Sequence, residues 1–165
     1  MSSRENALQV LSQALQLERD GQAFYLKAAE TLTDERCQRT FRSLADDERI
    51  HQEIILRELH AVEGQGSYVL LPVTAVERID AEARLFPPDM TEAKRRLSRV
   101  YDELSALQMA IEMEIASYDL YRQAAVGASE PAAQQMYAWL AAAERTHFNM
   151  LMANYDTLSL EASWV

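Results

Sequence analysis

The chain repeats itself, and the form of the repeat limits the folds open to it. Residues 15–29 read LQLERDGQAFYLKAA and residues 111–125 read IEMEIASYDLYRQAA. Residues 41–55 read FRSLADDERIHQEII and residues 137–151 read YAWLAAAERTHFNML. Both pairs align without a gap at one offset of 96 residues (111 − 15 and 137 − 41). A single offset serving two separated segments points to a duplicated two-element unit.

Each segment has the period of an amphipathic helix. The stripes are Leu8, Leu11, Leu15, Glu18, Gln22, Tyr25, Ala29; then Phe41, Leu44, Glu48, His51, Ile55, Leu59. The later pair gives Leu104, Leu107, Ile111, Glu114, Tyr118, Tyr121, Ala125, and Tyr137, Leu140, Glu144, His147, Leu151, Tyr155. Steps of three and four keep these side chains on one face. Two duplicated helical hairpins of this kind predict an all-α four-helix bundle. Thr33 is placed to cap the second helix, and Ser129 the fourth, with Pro131 in its first turn. Between the hairpins runs a long link from Gly64-Gln-Gly-Ser67 to Pro87-Pro88-Asp89. Within it Thr74 and Glu77 have capping-box spacing, which predicts a short helix. A second short helix is expected from Thr91 to about Tyr101. A link of that length lets the hairpins join by a crossover.

Composition agrees. One domain over residues 1–165 is expected, with 48% hydrophobic and 25% charged residues, and only four Gly and four Pro to make turns. A net charge of −10 argues against nucleic acid, whose phosphates need clustered Lys and Arg. Cys37 is the sole cysteine, so neither an intrachain disulfide nor a four-cysteine metal knuckle forms. No apolar run has the length of a signal peptide core or a bilayer span, so no membrane partner and a cytoplasmic location are expected.

The decisive feature is what interrupts the stripes. Glu18, Glu48, His51, Glu114, Glu144 and His147 all fall near mid-helix on faces that should be apolar. Burying an unpaired carboxylate costs several kcal/mol even after relaxation. Six such groups in one core need compensation, and two divalent cations supply it: four carboxylates and two neutral imidazoles balance two M²⁺. Glu48-Arg-Ile-His51 and Glu144-Arg-Thr-His147 each project an oxygen and a nitrogen from neighbouring helix positions. Glu18 and Glu114 then complete or bridge the metals. A lone Glu-x-x-His pair is usually a solvated Glu beside an ordinary His. Here two of the three histidines have it, at one repeat register. Duplication alone explains the matching, but not six polar groups kept on core stripes.

Other residues carry less. Tyr25 and Tyr121 lie seven residues after Glu18 and Glu114, on the same face, where they either hydrogen-bond the ligand carboxylates or fill the core. Asp47 either orients a histidine or is an ordinary exposed residue, since its repeat partner is Ala143. His60 reads as surface, the seven methionines as core filler, and Cys37 as a small buried residue.

With Glu18 followed by Tyr25, Ala28 and Ala29, then Leu44, Glu48 and His51, and the same pattern again at Glu114, Tyr121, Leu140, Glu144 and His147, the chain resembles the rubrerythrin branch of the ferritin-like superfamily. Ferritin-like di-iron and di-manganese bundles use this ligand set, a Glu from two helices and Glu-x-x-His from the other two. The resemblance implies a ferritin-like bundle holding two iron ions, with manganese or zinc as alternatives. It implies oxidation of Fe(II), or reduction of O₂ or hydrogen peroxide, with an external electron donor if the protein turns over. The alternative is a non-enzymatic iron-binding or iron-delivery protein; a further alternative is a bundle that holds zinc for stability.

Two departures narrow this. Rubrerythrins carry a further ligand Glu one turn after the third-helix Glu; here that position is Ser117, and the four cysteines of a rubredoxin domain are not in this sequence. An internal electron relay is therefore not expected. Bacterioferritin places its haem-ligating Met after the second-helix Glu, where this chain has Arg49. With 18 residues after His147 (165 − 147), little is left for the helix that closes ferritin cages, and a homodimer is expected instead.

Overall fold

In the computed structural model, residues 3–32, 35–70 and 93–162 are described. They form four helices: α1 Ser3–Thr31, α2 Glu35–Gln65, α3 Ala93–Gly127 and α4 Pro131–Ala162. There is no strand among the described residues. No helix of these residues is long and apolar enough to cross a membrane.

Two close hairpins, α1 with α2 and α3 with α4, meet along α1 and α3. Side-chain bonds fix the directions. Gln22 Nε2 donates to the Ala45 carbonyl at 3.3 Å and Gln52 Nε2 to that of Glu18 at 3.3 Å, so α1 and α2 are antiparallel. Tyr25 reaches Glu114 while Tyr121 reaches Glu18, so α1 and α3 are antiparallel too. It follows that α2 and α3 run the same way, the arrangement expected of two hairpins joined by a crossover.

The ends obey local rules. Gly66, at φ 77°, follows α2 in the left-handed region where a Cβ is costly, and its N–H donates to the Val62 carbonyl at 3.0 Å. The next residues are tied down: Val69 N–H donates to Glu58 Oε2 at 2.9 Å, and Tyr68 N–H to Glu130 Oε2 at 3.1 Å. At the head of α4 the capping position falls on Glu130, whose carbonyl accepts the first helical bond from Gln134 at 3.0 Å, and not on Ser129. Pro131 is the reason: its fixed φ and missing N–H suit the first helical position itself.

One expected element is absent as a separate piece. The short helix predicted from Thr91 to about Tyr101 merges into α3, which runs unbroken from Ala93. Residues 93–107 contain neither Gly nor Pro, so nothing stops the helix. The Thr33 cap and the Thr74–Glu77 helix lie outside the described residues.

Every helix passes from one apolar cluster, through a polar layer, into a second. The first cluster holds Tyr25, Phe41, Leu44, Leu107, Met150 and Leu151; the second holds Leu11, Ile55, Tyr121, Met136, Tyr137 and Leu140. Cys37 lies buried in the first, and His60 is exposed, as their sequence contexts predict. Deleting a fully buried leucine removes transfer free energy and leaves a cavity. Leu151→Ala should lower the unfolding free energy by about 2–5 kcal/mol in chemical denaturation; a loss below about 1 kcal/mol would mean that this cluster is loosely packed.

Candidate metal centre

The polar layer is where the helices bring Glu18, Glu48, His51, Glu114, Glu144 and His147 together, none of them more than 4% exposed. α1 and α3 contribute one carboxylate each. α2 and α4 contribute the i,i+3 pairs, whose two side chains leave the helix from adjacent positions on the inner face. His51 Nδ1 lies 3.1 Å from Glu18 Oε2, 3.2 Å from Glu144 Oε1 and 3.4 Å from Glu48 Oε2. His147 Nδ1 lies 3.3 Å from Glu144 Oε2, 3.5 Å from Glu114 Oε2 and 3.8 Å from Glu48 Oε1. The two imidazoles stack at 5.6 Å between centroids, with 21° between planes.

These contacts sort into two overlapping groups with metal-ligand spacing. Glu18, Glu48, His51 and Glu144 form one; Glu48, Glu114, Glu144 and His147 form the other, with ligand atoms in each group lying within 4.8 Å of one another. Glu48 and Glu144 belong to both. Sequence spacing left open whether Glu18 and Glu114 complete or bridge; the geometry puts each in one group only.

Two tyrosines lock the arrangement across the hairpins. Tyr25 O–H donates to Glu114 Oε1 and Tyr121 O–H donates to Glu18 Oε1. Burial, then the neighbouring carboxylates, hold both phenols well above their ordinary pKa, so they stay donors. Gly21 is a residue that the stripe pattern passed over. A Cβ there would sit 3.5 Å from Glu48 Cδ, so α1 lies directly against that carboxylate. A glycine inside a long helix was the available signal. Beside it a cleft of about 250 Å³, lined by Gly21, Tyr25, Glu48, Glu114, Met113 and Ser117, opens between α1 and α3. Trp139 was also missed; its ring stands edge-on to His51, centroids 5.6 Å apart. Asp47, ambiguous by sequence, turns inward, with Oδ2 3.6 Å from His147 Nε2.

Electrostatics make this layer costly as bare protein. Burial, then Glu144, raise the Glu114 carboxyl to about 8. Burial, then Glu18 and Glu144, hold Glu48 well above the carboxylate range. Burial would raise Glu144 as well, but His51 and His147 pull it well below the usual value. Burial opposes charge on His51, yet Glu18 and Glu144 hold its pKa well up, and Glu114 and Asp47 do the same for His147. Protons thus stand where cations would. Among the described residues His147 Nδ1, Glu114 Oε2 and both oxygens of Glu144 are buried without a hydrogen bond. Buried polar atoms are normally satisfied. This orphaned set of hard oxygen donors plus imidazole nitrogen fits divalent first-row metal ions.

The chain matches the family model described as Rubrerythrin over residues 9–155, nearly its whole length. It belongs to the rubrerythrin family. Comparison with curated proteins found no match, and neither did comparison with solved structures. The matched range takes in all six polar residues of this rubrerythrin's buried layer and both tyrosines.

A pH dependence follows from the raised groups. Between the ordinary carboxylate value of 4.5 and about 8, Glu114 keeps a proton in the folded metal-free protein that the unfolded chain releases. Stability must then fall as pH rises through that interval. Glu48 and both histidines act in the same direction, and the lowered Glu144 adds no slope there because its stabilisation is complete above its unfolded pKa. The melting temperature of metal-free protein should therefore drop from about pH 4.5 to about pH 8, and added divalent metal should offset the drop. A melting temperature that rises over this range would show that Glu114 is already ionised.

Proposed function

We propose that this rubrerythrin-family chain is a non-haem di-iron protein that oxidises Fe(II) or reduces hydrogen peroxide or O₂ at a carboxylate-bridged dinuclear centre. The observation that carries this reading is the sharing of Glu48 and Glu144 between two buried ligand groups. On this reading Glu18 and His51 would hold one iron, Glu114 and His147 the other, with Glu48 and Glu144 available to both. The charges of four carboxylates would then balance two M²⁺ ions with neutral imidazoles, and the orphaned oxygens would find partners. Two irons bound there supply the two electrons that reduce a peroxide or oxygen molecule.

The chain's own residues do the rest. Tyr25 and Tyr121 hold the outer oxygens of Glu114 and Glu18, leaving the inner ones free for metal. The apolar clusters above and below screen the layer from water along the bundle axis. The cleft of about 250 Å³ beside Glu48 and Glu114 has room for a small oxidant. Turnover needs electrons from outside these residues, since Cys37 is the single cysteine among them and holds no cysteine-ligated redox cluster.

A second reading, a protein that binds and delivers iron with little turnover, draws support from Ser117. That residue stands beside Glu114 where the family resemblance leads one to expect a further ligand carboxylate. Anaerobic Fe(II) titration of metal-free protein, followed by peroxide, separates the two. The oxidoreductase reading expects saturation near two irons per chain, then a ferric absorption band that forms rapidly. Glu114→Ala should slow that oxidation by at least about tenfold. Reversible binding with oxidation no faster than that of free iron would favour delivery. Binding below one iron per chain would defeat the metal-centre reading altogether.

A further inference from the structure

The centre is built from two repeat halves, so its departures from symmetry are informative. Glu18 corresponds to Glu114, Glu48 to Glu144, His51 to His147 and Tyr25 to Tyr121, all at the offset of 96. Each of these pairs is treated alike: both histidines face three carboxylates through Nδ1, and each tyrosine reaches the carboxylate of the opposite hairpin. The groups behind the imidazoles are not alike. Behind His147, Nε2 faces Asp47 Oδ2 at 3.6 Å, ion-pair distance, and that oxygen is buried with no hydrogen-bond partner. The repeat equivalent of Asp47 is Ala143, a buried residue that can accept nothing with its side chain. His51 instead meets the edge of Trp139, and among the described residues its ion-pair contacts all run through Nδ1.

We propose that the two metal positions are inequivalent and fill in order, the Glu114–His147 position first, with Asp47 as the residue that positions His147 for it. The proposal rests on the dinuclear reading above and deepens it. A carboxylate behind a ligating imidazole fixes the ring, selects the tautomer with the proton on the remote nitrogen, and makes the near nitrogen a better donor. Asp47 offers this to His147 Nδ1; among the described residues no carboxylate stands behind His51 in the same way. The approach route favours the same position. The cleft between α1 and α3 is lined by Glu114, which belongs to the His147 group alone, and by the shared Glu48, but by neither Glu18 nor His51. An ion entering there meets the better-prepared ligand set first.

The test is an anaerobic titration of the metal-free full chain with cobalt(II), followed by calorimetry and visible absorption. Two resolved steps are expected, the tighter lost in His147→Ala and the weaker lost in His51→Ala. Asp47→Ala should weaken the tighter step by about 10–100-fold and leave the weaker one in place. Asp47→Asn, whose amide oxygen can still accept from the imidazole, should restore most of the difference. Two equal steps in the unaltered protein would overturn the proposal, as would loss of the tighter step in His51→Ala. If Asp47→Ala weakens both steps together and lowers the melting temperature of the metal-free chain, Asp47 is merely structural and the positioning role fails. In all these failures the unaltered protein still takes up two ions per chain. A total below two in the unaltered protein would instead sink the dinuclear reading on which the proposal stands.

Discussion

Four carboxylates and two imidazoles forced into one buried layer are the constraint on which the rest of this structure depends. Like charges at such distances, cut off from water, cannot all be ionised without an opposite charge among them. The bare protein answers with protons, which is why Glu114 and Glu48 titrate high and the histidines hold their charge. A pair of divalent cations would answer more completely, because it would leave each carboxylate ionised and each imidazole neutral. Folding stability and the protonation of these buried residues are therefore coupled in this chain.

The surrounding bundle is organised to hold that layer in place. Apolar clusters on both sides carry the packing energy that the polar layer cannot supply. The cross-hairpin tyrosine bonds tie α1 to α3 at the level of the polar layer, beside the α2–α4 contacts of His51 with Glu144 and His147 with Glu48. Gln52 adds a tie within the first hairpin, donating to Gln22 Oε1 at 3.0 Å and to the Glu18 carbonyl. Gly21 lets α1 approach the Glu48 carboxylate without intervening side chain, and the same small residue helps to leave the cleft open.

Duplication builds such a centre economically but makes its two halves equal to a first approximation. A dinuclear site that handles an incoming ion or oxidant from one side gains from unequal halves. Three of the residues that differ between the repeats, Asp47 against Ala143, Trp139 against Ser43 and Gly21 against Ser117, cluster around the layer. The two halves thus differ in groups behind and beside the six polar residues, while those six match at one offset.

Read alone, the sequence determines a great deal here, because a helix of period 3.6 states which residues share a face. The two hairpins, the crossover, the core stripes and the set of six ionisable residues on those stripes were all legible from spacing and from one repeat offset. Spacing within a helix says nothing about which helix lies opposite, at what register, or which rotamer each side chain takes. Those were decided by the fold: that Glu48 and Glu144 stand between both ligand groups while Glu18 and Glu114 each join one, that Tyr25 and Tyr121 cross to the opposite hairpin, and that Asp47 turns toward a histidine on α4 rather than toward water. The capping of α4 at Glu130 and the unbroken start of α3 belong to the same class, since they turn on local competition between neighbouring residues that pattern alone does not rank. Intrahelical periodicity is a property of the chain; convergence is a property of packing, and the chemistry of this centre depends on convergence.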